Sequence, residues 1–190
     1  MTDPPVIGIV GKQASGKTVV SSELIDEETV RVRMGDVVWD EVERRGLEVN
    51  SENAGRVANE LREKEGMDAI AKRCIPRIKT QVEKGKKVIV DGIRGIREVK
   101  TLRKEFKDKF YLIAVEATPE TRYERIRERK REDDTESFEE FKEKEKRELN
   151  WGLKEAIDSA GYKITNEGSL EELEEKISKI KGEIRSNYES

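Results

Sequence analysis

Histidine is absent from this chain, and Cys74 is its only cysteine. The first absence excludes histidine-based acid–base catalysis, Ser-His triads and most zinc chemistry. The second excludes an intramolecular disulfide and a cysteine zinc cluster. No apolar run approaches the length of a membrane span, and residues 1–5 show neither the charged nor the apolar region of a signal peptide. A cytoplasmic protein with no membrane partner is therefore expected. Charge of one sign is missing as well. Against 42 acidic residues stand 39 basic ones, a net charge of −3, so no overall basic field invites nucleic acid. Local basic clusters leave a nucleic-acid partner open. There is no linker rich in Pro, Gly or Ser and no internal repeat. The 190 residues read as one domain, long enough to bury a core.

What the chain has in plenty is mixed charge, at 43% of residues, beside only 34% hydrophobic ones. The apolar residues fall into short runs and periodic stripes, which argues against disorder. Dense Glu, Lys and Arg with a single Cys also resembles hyperthermophile composition.

Runs rich in β-branched residues at 6–10, 87–90 and 110–115 read as strands of a parallel sheet covered on both faces. Segments 30–34 and 162–165 are weaker candidates. Helical patterns occupy 19–26, 36–45, 51–65, 68–83, 96–107, 119–131, 137–149 and 170–185. In the last of these, Leu170, Leu173, Ile177, Ile180 and Ile184 keep one-face spacing and are expected to pack on the sheet. This alternation predicts a doubly wound α/β domain with a five-stranded parallel sheet and right-handed crossovers. Two helical stretches, about 36–84 and 129–150, read as insertions at the active edge. They leave 1–35, 85–128 and 151–190 as the core.

The segment Gly11-Lys12-Gln13-Ala14-Ser15-Gly16-Lys17-Thr18 matches the phosphate-loop pattern G-x-x-x-x-G-K-[ST]. It follows an apolar strand and opens a helix, as its mechanism demands. Loop N–H groups can point inward at phosphates, and the helix N-terminus favours negative charge. Lys17 would reach the outer phosphates of ATP, Thr18 would ligate Mg2+, and the following Val19 completes the nucleotide site. At the end of the third strand, Asp91 would sit beside the loop and hold magnesium directly or through water, or else cap the turn before the next helix. Arg94 could meet an anionic acceptor or simply lie on the surface. The run 122–131 reads as a solvated helix face, or as a basic segment facing phosphates or a nucleic-acid backbone.

These motifs resemble the nucleoside-monophosphate kinase group, and more closely an archaeal family of proposed nucleotide kinases related to dephospho-CoA kinases. The resemblance covers nearly the whole chain. Gly35-Asp36-Val37-Val38 looks like the Gly-Asp start of an acceptor-binding helix, although Trp39 stands where those kinases carry an acceptor-phosphate arginine. Asp91-Gly92 resembles their Asp-Gly after the third strand, with Arg94 one position early. Arg125 and Arg129 resemble paired lid-hinge arginines, four apart on one helical face. Arg131-Glu132-Asp133-Asp134 resembles the lid, with Lys144 or Arg147 returning a phosphate contact in place of Lys142. The segment containing Asn166 and Gly168 resembles a loop near the adenine, or reads as a strand end with a Ser169 helix cap. Ala14 occupies a position often glycine in this group, and the loop should still form if that residue keeps negative φ.

The resemblance implies an ATP- and magnesium-dependent kinase acting on a small acceptor, either a nucleotide or a dephospho-CoA-like precursor. Lys17, Arg125 and Arg129 would serve the transferring phosphoryl group. Asp36, at the carboxyl edge of the sheet, would act as a base toward a hydroxyl acceptor, or only cap its helix. The competing expectation is an NTPase switch or nucleotide-binding regulator acting on a protein or RNA.

Overall fold

The computed structural model describes residues 4–129 and 137–189. Its strands are β1 (Val6–Val10), β2 (Thr29–Arg33), β3 (Lys87–Asp91), β4 (Phe110–Glu116) and β5 (Tyr162–Thr165), all parallel, in the order β2-β3-β1-β4-β5. The expected doubly wound sheet is what forms. Its two fainter candidates, β2 and β5, are the edge strands. Edge strands are buried less completely, which is why their apolar signal is weak.

Side chains alternate across each strand, so every central strand feeds two cores. Val6, Val10, Val88, Val90, Leu112 and Ala114 face one layer. Ile7, Ile9, Ile89, Ile113 and Val115 face the other. The first layer is covered by α2 (Asp36–Arg44), α3 (Ser51–Glu65), α4 (Ala69–Glu83), α5 (Ile96–Phe106) and α8 (Leu153–Asp158). The second is covered by α1 (Lys17–Glu23) and α9 (Leu170–Glu189). In α9 the side chains of Leu173, Ile177, Ile180 and Ile184 are buried in that second core, each contributing at most about 2 kcal/mol. Leu170 departs from the expected stripe. It opens the helix and is 56% exposed.

Between β4 and β5 lie α6 (Pro119–Arg129), α7 (Phe138–Asn150) and the short α8. The last was not expected. Six residues are too few to show a helical period, and the turn into it is made by Gly152 at φ 80°. Helix α1 begins at Lys17, two residues before its apolar pattern, because the phosphate loop itself supplies the first turn.

The helices between β2 and β3 are knitted by one buried carboxylate. Glu41 accepts from Arg44 at 2.7 Å and from Arg45 at 2.8 Å, with Arg73 of α4 at 3.6 Å. Arg45 also pairs with Glu60 of α3 at 2.6 Å. The bonds from Arg44 and Arg45 outweigh burial and hold the Glu41 carboxyl down at about 2.

Candidate nucleotide and acceptor site

The loop from Gly11 to Thr18 leaves β1 at the carboxyl edge of the sheet, beside the point where the strand order reverses, the crevice where ligands of open α/β sheets gather. Gly11 is required by a close approach. A Cβ there would run into the Val115 carbonyl oxygen of β4. Gly16 is required twice over, by φ 103° and by Asn166 Nδ2 lying where its Cβ would be. Ala14 corrects the expectation made for it, since it stands at φ 60°. The left-handed conformation costs a non-glycine residue about 1–2 kcal/mol, and the loop forms nonetheless.

Side chains brace the loop from outside through its carbonyls. Asn166, 7% exposed just after β5, donates from Nδ2 to the Ser15 carbonyl at 2.9 Å. Its own N–H donates to Glu116 of β4 at 2.8 Å. Arg125 on α6 donates to the Asn166 carbonyl at 3.0 Å and approaches the Ala14 carbonyl at 3.5 Å. Lys17 turns its ammonium into the loop, donating to the carbonyls of Gly11 at 2.7 Å and Lys12 at 2.8 Å. Thr18 and Val19 are exposed at the start of α1. Gly168 lies just before Ser169, whose Oγ accepts from the Glu172 N–H at 3.3 Å. That helix-cap role, one of two expected for the segment, is present.

The basic run on α6 is not simply a solvated face. Arg122 is 1% exposed, 5.1 Å from the Phe141 ring centroid, and donates to the Ala117 carbonyl at 3.0 Å and to Glu145 at 2.6 Å. The Glu145 carboxylate also pairs with Lys12 of the loop at 2.8 Å. Burial works against that charge, yet Lys12 and Arg122 together keep the carboxyl below its ordinary range. Helix α7 is thereby tied to the phosphate loop. The sequence pattern missed both residues. The side chains of Arg129, Lys144 and Arg147, and residues 131–134 of the expected lid, lie outside the described residues.

Across the sheet edge, the ends of β2 and β3 meet where the Met34 N–H donates to the Asp91 carbonyl at 2.8 Å. The Asp91 side chain is half-buried there. It does not cap the following helix, since the N-cap of α5 is Gly95. Nor does Asp36 cap α2. It is the first helical residue, exposed, after the N-cap Gly35.

Gly35 and Gly92 edge a cavity of about 520 Å³, into which both tryptophans of the chain, Trp39 and Trp151, project with Arg62, Arg94 and Glu98. Trp151 arrives there because the turn before α8 packs on the start of α5, where the Ile96 N–H donates to the Gly152 carbonyl at 3.1 Å. Glu98, 2% exposed, caps α5 by accepting from the Arg94 N–H at 2.6 Å. Burial pushes its carboxyl up against the pull of that N–H and of Arg62. Arg62 of α3 spreads over the Trp151 ring at 5.1 Å. Burial pushes its guanidinium down while Glu98 works against the shift. Of the expected acceptor residues, Arg94 lines the cavity. Arg62, Glu98 and Trp151 are additions that no local motif announced. Cys74, buried beneath with its thiol pushed up to about 12 by burial and then by Glu98 and Asp36, is no nucleophile.

Residues 7–150 match the family model described as an AAA domain. A UPF0200/UPF0201 protein of Archaeoglobus fulgidus is 50% identical over 97% of this chain, which spans 57% of that protein's length. A UPF0200 protein of Methanosarcina mazei is 42% identical over 96% of this chain and 95% of its own. Among solved structures, the dephospho-CoA kinase of Campylobacter jejuni superposes with a TM-score of 0.62 at 12% identity, covering 95% of this chain and 97% of its own. The shikimate kinase of Bacteroides thetaiotaomicron gives 0.61 at 11%, covering 95% and 98%. Likeness at such identities speaks for the fold, which is that of P-loop kinases. The chain belongs to the archaeal UPF0200 family, built on an AAA-type P-loop domain.

Proposed function

We propose that this protein transfers the terminal phosphoryl group of ATP to a small acceptor, a nucleotide or a coenzyme precursor. The observation that carries the reading is the placement of two features on one sheet edge. A phosphate loop follows β1, and an acceptor-sized cavity opens between the ends of β2 and β3. Phosphoryl transfer needs positioning and charge stabilisation more than covalent catalysis, so a chain without histidine loses nothing by it.

In this reading the ammonium of Lys17 leaves the Gly11 and Lys12 carbonyls for the phosphates of ATP. Thr18 and Asp91 would hold magnesium. Among the described residues no cluster of three or more acidic or cysteine side chains could cage a metal ion, which fits an ion held mainly by phosphate oxygens and water. When bound, magnesium neutralises charge on the phosphoryl group in flight. Arg125, beside the loop, and Arg129, four residues on, would meet that charge as residues 129–150 close. Asp36 would take the proton of a hydroxyl acceptor and be idle toward a phosphate, whose attacking oxygen is already anionic. The resemblance to dephospho-CoA kinase in fold makes such acceptors reasonable ones to test.

The experiment is phosphorus NMR of the full chain with magnesium-ATP and a panel of nucleoside monophosphates, dephospho-CoA and small hydroxy acids. A new phosphorylated product, lost in Lys17→Ala, is the expected result. Hydrolysis of ATP with no transfer to any acceptor would favour the NTPase switch, and no binding of magnesium-ATP would end both readings.

A further inference from the structure

Arg62 of α3 lines the cavity together with Trp39 and Trp151. Resting on the phosphotransfer reading above, we propose that the cavity takes a planar acceptor bearing an anionic group, of the nucleoside-monophosphate kind, and that Arg62 of α3 holds the anion. Arg62 lines the cavity, and no carboxylate among the described residues forms a salt bridge with it. Its contact is the face of Trp151, 5.1 Å away. A guanidinium that is largely desolvated and lacks a bonded counter-ion is a ready receiver for phosphate, which it can grip with two parallel N–H groups.

The rest of the wall says what kind of molecule carries that phosphate. About 520 Å³ falls within the range of small-ligand sites. Both indoles of the chain line it, with Met34, Val38 and Ile70 among its apolar members. A polyol would look there for hydrogen-bonding side chains, and beside the arginines the wall offers Asn59 and Glu98. The one carboxylate in the wall, Glu98, has Oε2 committed to the Arg94 N–H and Oε1 sealed from solvent without a hydrogen bond. Its position fits the carboxylate of a capping box, which fixes it to the start of α5. Apolar and aromatic side chains beside the guanidinium of Arg62 suit a flat ring joined to an anion.

The test is tryptophan fluorescence of the full chain, titrated with AMP, GMP and CMP, the matching nucleosides, inorganic phosphate, shikimate and gluconate. Each titration is run with and without a non-transferable ATP analogue, so that occupancy of the phosphate loop is controlled. At least one monophosphate should quench and bind about tenfold or more tighter than its nucleoside. Arg62→Ala should abolish that advantage while leaving the nucleoside's affinity unchanged, and Arg62→Lys should restore part of it. Monophosphates bound equally by wild type and Arg62→Ala would overturn the assignment of the anion. Binding of shikimate or gluconate with none of the nucleotides would overturn the planar acceptor. Failure of the ATP analogue to bind would strike the phosphotransfer reading alone, because these titrations stand without it.

Discussion

The phosphate loop is held through its backbone, with carbonyls at Gly11, Lys12 and Ser15 gripped by Lys17 and Asn166. The cavity across the sheet edge is instead made of side chains, Trp39 from α2, Arg62 from α3, Glu98 from α5 and Trp151 from the turn before α8. A backbone site depends on a short run of residues that can adopt its conformation, so it is written in one contiguous stretch. A side-chain site depends on helices that pack, and its members are scattered over more than a hundred positions, from 39 to 151. The first kind tolerates little variation. The second can change its ligand while the sheet beneath stays the same.

Lys17→Ala should give the largest effect and would break the comparison if it did not. Its ammonium donates to carbonyls that belong to the loop itself, so its removal loosens the loop and leaves the packing of the two cores in place. Turnover should fall by about a hundredfold or more, as for loss of a direct contact to developing charge. Thermal melts without nucleotide should stay close to wild type. Normal turnover in a well-folded Lys17→Ala would mean that the loop is not a catalytic site.

That contrast also explains what the sequence could reveal. The strands expected at 6–10, 87–90 and 110–115 announced themselves because both their faces are buried, and the loop because glycine and lysine fall at fixed spacing. Arg122 could not be recognised. Its neighbours Glu124, Arg127 and Glu128 are exposed, and only the packing of Phe141 and Glu145 from α7 makes it a buried residue. Trp151 was equally silent, since its place depends on the carbonyl of Gly152 meeting the N–H of Ile96. Asp36 was found through resemblance and Arg94 from its position after the third strand; the structure sets Asp36 exposed in the first turn of α2 and Arg94 in the cavity wall. The one local signal left unused was that a chain with only two tryptophans sets one beside a glycine at a helix break.

The scaffold of the acceptor side gives the next effect. Glu41 pairs with Arg44 and Arg45 at the end of α2, joins α2 to α4 through Arg73, and reaches α3 through Arg45 and Glu60. Glu41→Ala leaves those guanidinium groups without their shared partner and should cost about 2 kcal/mol at neutral pH. Because the folded carboxyl titrates at about 2 rather than 4.5, its contribution is complete above the unfolded value. It drains away as pH falls from about 4.5 through about 2. Urea unfolding of wild type and Glu41→Ala should therefore diverge at pH 7 and converge toward pH 2. Curves separated by the same amount at every pH would show that packing, not charge, is what Glu41 supplies.

The smallest effect is expected at Ala14, and it is read against Gly16 in the same loop. Ala14 at φ 60° and Gly16 at φ 103° both hold left-handed backbone, yet they should respond in opposite directions when exchanged. At Ala14 the methyl costs about 1 kcal/mol in this conformation. Ala14→Gly removes that strain, and the greater freedom of glycine in the unfolded chain returns part of it, leaving a net stabilisation of about 0.5 kcal/mol. At Gly16 no such relief exists. Its φ lies beyond the well that alanine tolerates, and the new Cβ would displace Asn166 Nδ2 from its place beside the Ser15 carbonyl. Gly16→Ala should therefore cost about 2 kcal/mol and weaken nucleotide binding as well. Denaturant unfolding of both variants checks the pair. If Ala14→Gly proves destabilising by about 1 kcal/mol or more, the methyl packs against something that matters, and the loop is held by side-chain contact at the one position where backbone alone was expected to decide.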